Sequence, residues 1–184
     1  MGRFQVHFSF HSKPFRKRRL FNLDIMRDFY ISADPGKKGF CCILAPKTNS
    51  FYHFTLFEGQ RLNPELIEAI RRMGEENVMA VVEQVHSMPG QGVASTFSFG
   101  TSYGKILGMF ESLGIPYVTC TPGKWQKAMW EACDKAANTK LTSYNAARRL
   151  LPSMDFRKSA RCKNFDDNKV DATLLCLYAQ RKQL

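Results

Sequence analysis

The stretch Val78-Met-Ala-Val-Val-Glu constrains this chain more than any other. A strand with one wet face alternates apolar and polar residues, whereas an unbroken apolar run of strand length suits a central strand covered on both faces. Such a strand needs helices above and below the sheet, and the flanking sequence supplies candidates. Residues 29–33, 40–44 and 51–57 are β-prone runs, the last two joined by turn residues 46–50. Asn63-Pro-Glu-Leu-Ile-Glu opens a helix, with Asn63 as the cap and proline at the first position. Residues 95–113 have helical length and stop at Gly114, residues 117–121 form a strand before Pro122, and residues 142–151 form a helix ended by Pro152. A basic loop then leads to a last amphipathic helix, Asp167–Arg181. The order βββαβαβα predicts an α/β domain with a mixed five-stranded sheet and helices on both faces.

Three places on these elements carry acids where chemistry would put them. Asp34 ends the first strand, Glu83 ends the central run, and Asp171 follows Asp167 by one helical turn on the last helix. In an RNase H-like arrangement of this order, the strands bearing Asp34 and Glu83 are neighbours and the last helix packs across their ends. Each acid has an ordinary reading too. Asp34 before Pro-Gly suits a turn, Asp167 suits the start of a helix, and Asp166 competes with Asp167 as the fourth acid. A glutamate beside a buried apolar run is harder to dismiss. Four carboxylates brought together repel one another unless cations join them. Mg²⁺ prefers such oxygens, and two ions can flank the attacking and leaving oxygens of a phosphodiester.

Charge points to the same substrate class. There are 27 Lys and Arg against 16 Asp and Glu, a formal net charge of +11, which invites a polyanionic partner. Residues 1–27 contain seven basic side chains and one acid (Asp24). They read as a basic extension ahead of a domain spanning 28–184, and as a nucleic-acid-gripping arm, a targeting presequence or a solvated tail. A second basic stretch runs from Lys124 to Lys163, and Lys124, Lys127, Lys140, Arg148, Arg161 and Lys163 are its candidate contacts to nucleic-acid phosphates. The six cysteines include no Cys-x-x-Cys pair and read as small buried hydrophobes in a reducing, intracellular compartment. That means the cytoplasm of a bacterium or phage-infected cell, or an organelle given the basic N-terminus. No apolar run is long enough to span a membrane. Phe97, Phe99 and Tyr103 suit either base stacking or the core. Gly100, Gly104 and Gly108 leave one helix face bare for close packing, against the sheet or against a partner helix.

Several motifs stand in one order: Tyr30-Ile-Ser-Ala-Asp-Pro-Gly-Lys-Lys-Gly-Phe, Val81-Val-Glu-Gln, Met88-Pro-Gly-Gln-Gly-Val-Ala-Ser, Phe97-Ser-Phe-Gly, Ile115-Pro-Tyr-Val, Thr121-Pro-Gly-Lys-Trp-Gln-Lys and Asp167-Asn-Lys-Val-Asp-Ala-Thr-Leu-Leu. Together they resemble the RuvC-like Holliday junction resolvases of phages, bacteria and chloroplasts, from about residue 28 onward. The resemblance implies an RNase H-like fold and a homodimer that nicks four-way DNA junctions symmetrically with two Mg²⁺ or Mn²⁺ ions per site. It implies Asp34, Glu83, Asp167 and Asp171 as catalytic metal ligands. It also points to Met88 and Gln91, in the loop after the glutamate, as contacts at the crossover. Asn168 stands where this branch often has glycine. A nuclease acting on RNA or RNA–DNA hybrid, and a non-catalytic nucleic-acid-binding protein, are the competing readings.

Overall fold

A computed structural model of the chain describes residues 27–36, 39–74, 76–86, 90, 92–133 and 136–184. Residues 1–26, the loop residues Met88 and Gln91, and Lys135 lie outside the described residues. Three strands open the fold: β1 (Phe29–Asp34), β2 (Phe40–Ala45) and β3 (Ser50–Thr55). A two-stranded hairpin follows, β4 (Phe57–Glu58) with β5 (Arg61–Leu62). Then come α1 (Pro64–Arg72), β6 (Val78–Glu83), α2 (Val93–Ser112) and β7 (Tyr117–Cys120). Three helices close the chain: α3 (Pro122–Met129), α4 (Thr139–Leu150) and α5 (Asp167–Arg181). The main sheet has the order β3-β2-β1-β6-β7, with β1–β2 and β2–β3 antiparallel and β1–β6 and β6–β7 parallel. The expected mixed five-stranded sheet is therefore present. The small hairpin and α3 are additional to the expected order, and α4 starts three residues before its expected first residue.

The strand sequences explain two separate cores. Side chains alternate across a sheet with period two. Tyr30, Cys42, Leu44 and Val81 face α3, α4 and α5, while Ile31, Ala33, Cys41, Ile43 and Val82 face α1 and α2. Residues 78–82 of β6 are apolar throughout because both faces of the strand are covered. Cys41 and Cys42 are adjacent in sequence and face opposite cores, so they cannot bond to each other. All six cysteines are free thiols. Burial raises the Cys41 and Cys42 thiols well above their usual range, so they remain neutral hydrophobes as expected. No helix among the described residues is long and apolar enough to cross a membrane.

Local signals set the helix ends. Asn63 caps α1, its side chain accepting from the Glu65 amide at 2.9 Å, while its own amide donates to the Thr55 carbonyl at 3.0 Å. The α5 cap is Asp166, whose carboxylate accepts from the Asn168 amide at 3.2 Å. Helix α5 runs back along β1: Ser32 Oγ donates to the Ala172 carbonyl at 2.6 Å and Cys176 Sγ to the Tyr30 carbonyl at 3.3 Å. At the far end Arg27 donates to the Leu184 carbonyl at 2.9 Å and to Asn77 Oδ1 at 2.6 Å.

Gly39 makes the entry to β2 possible. Its φ is +50°, a region costly for residues with a Cβ. A Cβ there would lie 3.0 Å from Leu56 Cβ and 3.1 Å from Leu56 Cδ1 and Phe57 Cδ2. Gly39→Ala is expected to cost about 1–3 kcal/mol through backbone strain and overpacking. At roughly 2–4 °C per kcal/mol, thermal unfolding should shift down by several degrees. An unchanged melting temperature would show that Leu56 gives way freely.

Candidate metal centre

Register brings the acids together. In the parallel β1–β6 pair Ala33 lies opposite Val82, so the next residues, Asp34 and Glu83, end neighbouring strands on the same edge. The Ser32–Ala172 bond fixes the first turns of α5 over β1, which sets Asp171 above that edge. Burial and the neighbouring Asp34 charge push Glu83 up to about 8. Burial, with the charges of Asp34 and Asp167 added, pushes Asp171 up to about 7. Burial also raises Asp34, against the pull of the Gly36 amide, which donates to Asp34 Oδ1 at 3.1 Å. These are carboxyls whose ionised forms are disfavoured by burial and by one another's charge.

Asp167 behaves differently. It bonds Lys140 at the start of α4, and this ammonium holds its carboxyl below the usual range. Asp166 is committed to capping α5. Of these two neighbours, only Asp167 is electrostatically felt by Asp34 and Asp171.

Does a divalent metal fit these residues? Among the described residues no three His, Cys, Asp or Glu side chains converge closely enough to form a ready cage. Yet Asp171 Oδ1 is buried with no hydrogen-bond partner, which is costly for a carboxylate oxygen unless something binds it. The donor set is all carboxylate, the chemistry that hard cations such as Mg²⁺ and Mn²⁺ select. On that orphaned atom and that donor set, the residues fit.

Two groups beside the acids carried no assigned role in the sequence reading, although Trp125 stands in the Thr121-Pro-Gly-Lys-Trp-Gln-Lys motif. Trp125 is buried on α3, 1 % exposed, and its indole Nε1 donates to Glu83 Oε1 at 2.8 Å. Ser143, buried on α4, supports the ionised Asp171 and accepts from Trp130 Nε1 at 3.2 Å. The available signal was two tryptophans five residues apart, the chain's only two, in a stretch otherwise rich in lysine.

The candidate DNA contacts separate by position. Lys140 reaches the acids. Lys124 and Lys127 are exposed on α3, whose Trp125 touches Glu83. Arg161 and Lys163 are exposed on the loop before α5. That loop is pinned by a bridge between Arg157 and Phe165 and by Phe165 stacked on Tyr144 at 4.2 Å. Lys158, on the same loop and outside the expected set, contributes to stabilising ionised Asp167. Arg148 is exposed in the last turn of α4, at the opposite end from Lys140.

The aromatic residues of α2 divide. Phe97 is 76 % exposed, whereas Phe99 and Tyr103 are half-buried and Tyr103 packs against the core. A Cβ on Gly100, Gly104 or Gly108 would meet nothing within 4 Å. The domain's own sheet therefore does not use the glycine face.

No protein-family model matches the sequence, and no curated protein matches it significantly. Solved structures do match. Thermus thermophilus RuvC in complex with a Holliday junction substrate superposes with a TM-score of 0.54 at 13 % identity, covering 84 % of this chain and 95 % of that one. A second Thermus thermophilus RuvC structure gives 0.51 at 14 % identity, covering 84 % and 96 %. The yeast mitochondrial Holliday junction resolvase Ydc2 gives 0.57 at 11 % identity, covering 86 % and 79 %. The fold of this chain is that of RuvC-like resolvases.

Proposed function

We propose that this chain is a metal-dependent endonuclease that resolves four-way DNA junctions by symmetric nicking. The observation that carries the reading is the buried, unpartnered oxygen of Asp171, on the helix that crosses β1 in a RuvC-like fold whose neighbouring strands end in Asp34 and Glu83. Asp34, Glu83, Asp167 and Asp171 would hold Mg²⁺ or Mn²⁺, two ions per site. The bound metal would supply Lewis-acid polarisation of the phosphodiester and an activated water. The chain's own groups do the rest. Lys140 restrains Asp167 and brings a positive charge to the rim of the acids. Lys124, Lys127, Arg148, Arg161 and Lys163 would contact DNA phosphates, giving salt-dependent and largely sequence-independent grip. Met88 and Gln91, from the resemblance, would meet the crossover.

The test is cleavage of a synthetic four-way junction beside linear duplex, RNA–DNA hybrid and double-stranded RNA, with Mg²⁺, Mn²⁺ or EDTA. Paired nicks confined to the junction and lost in Asp34→Asn would support the reading. Cleavage of hybrid or RNA would retain the carboxylate chemistry and replace the substrate. Junction binding with no cleavage of any substrate would favour a binding protein.

The reading includes a homodimer through α2. A single domain leaves the first turns of this helix uncovered, with Val93 86 % and Phe97 76 % exposed beside the open glycine face. Exposed apolar side chains next to a surface that permits close backbone approach suit a second helix, and a two-fold dimer would present two sites to a four-way junction. Light scattering is expected to give twice the mass of the 184-residue chain. Phe97→Asp should shift it to the monomer mass, with the melting curve of the dilute protein little changed. A wild-type monomer at tens of micromolar would sink the dimer.

A further inference from the structure

We infer that Trp125 is a positioning residue for the acidic site, acting on Glu83 directly. The inference rests on the metal-site reading above. An indole N–H can only donate. At 2.8 Å from Glu83 Oε1, Trp125 therefore fixes one carboxylate oxygen and leaves the other for the shared site. Trp125 has no freedom to swing, because it is 1 % exposed and packed in the core beneath α3.

Trp125 bonds the acid itself, so it acts through Glu83. The second tryptophan bonds elsewhere, Trp130 Nε1 donating to Ser143 Oγ at 3.2 Å. Partners that orient a metal's ligands typically matter by ~10–100-fold in metal affinity.

The experiment measures Mn²⁺ binding by electron paramagnetic resonance of the free ion. Tryptophan fluorescence provides a parallel readout, since the chain has only these two indoles. The proteins are wild type, Trp125→Phe, Trp130→Phe and Met129→Ala, each with a melting curve. Met129 is equally buried on α3 and serves as the packing control. Trp125→Phe is expected to weaken Mn²⁺ binding by ~10–100-fold, while Met129→Ala lowers the melting temperature and leaves Mn²⁺ affinity unchanged. Trp130→Phe leaves Trp125 as the sole indole, so Mn²⁺ is expected to change its emission, which tests the contact even if Trp125→Phe folds poorly. Wild-type affinity in Trp125→Phe, or unchanged emission in Trp130→Phe, would overturn the positioning role alone. Equal weakening in Met129→Ala would overturn it too, since packing would then account for the effect. Failure of wild type to take up Mn²⁺ at a site lost in Asp34→Asn would overturn the metal-site reading and this inference with it.

Discussion

Asp171→Asn and Glu83→Gln are each expected to lower junction cleavage by at least ~10³-fold, a rise of about 4 kcal/mol in the barrier, with junction binding unchanged or tighter. Both substitutions keep the shape of the side chain and remove its charge. Asp171 provides the orphaned buried oxygen, and Glu83 Oε1 is bonded to Trp125, so neither change need disturb the sheet. Binding should survive because the lysines and arginines that would grip phosphate lie outside the acidic cluster. Removing a negative charge from a site that must admit a polyanion should, if anything, help. Gel-shift and cleavage assays on one labelled junction would read both effects. Loss of binding in both variants, or cleavage within ten-fold of wild type, would remove these residues from the metal site.

The second large effect concerns stability with divalent metal chelated. Glu83 sits at about 8 against an ordinary 4.5, and Asp171 at about 7 against 3.8. For both, the folded value lies above the unfolded one. Between those values the folded chain binds more protons than the unfolded chain, so stability falls as pH rises. His53 has the opposite sense, because burial lowers it to about 4. It contributes a gain as pH rises from about 4 to 6.5 and nothing beyond. The limb from pH 6.5 to 8 therefore belongs to the carboxylates. One proton taken up over that interval corresponds to roughly 2 kcal/mol, a fall in melting temperature of about 4–8 °C. Millimolar Mg²⁺ should offset the fall, because it binds the folded state. Melting curves in EDTA at the two pH values, for wild type and Glu83→Gln, test this. An equally steep fall in Glu83→Gln would assign the limb to other groups.

Much of this was legible in the sequence because strong local signals agreed with the fold. The unbroken apolar run ending at Glu83 is what a doubly covered strand requires, and Asn63-Pro64 is a helix start by capping and by proline geometry together. The Asp167–Arg181 helix was placed at its observed bounds. Other signals were ambiguous by their physics. Pro122-Gly123 reads as a turn, yet proline at the first helical position serves as well, and so α3 went unseen. Asp166 and Asp167 are equally good caps in sequence, and only the bond to the Asn168 amide decides which one caps. The bond from Trp125 joins it to Glu83, 42 residues away in the chain. No periodicity can announce such a contact, and a rare residue type within the Thr121-Pro-Gly-Lys-Trp-Gln-Lys motif was its trace. The exposed face of α2 is the converse case, since glycine at every fourth position says that something comes close but not what.

The way α5 crosses β1 has a consequence for synthesis. Asp34 and Glu83 emerge from the ribosome early, but the hydrogen bond that seats the last helix joins Ser32 to Ala172, 140 residues apart. Closing so long a loop comes late in folding. Until then the β-sheet face that receives α5 stays uncovered and the fourfold set of acids is incomplete. A nascent chain on its polysome, surrounded by nucleic acid, would thus hold two of the four carboxylates and no assembled site. On the proposed reading, seating α5 over β1 would complete the acidic site and cover the adjoining core in the same event.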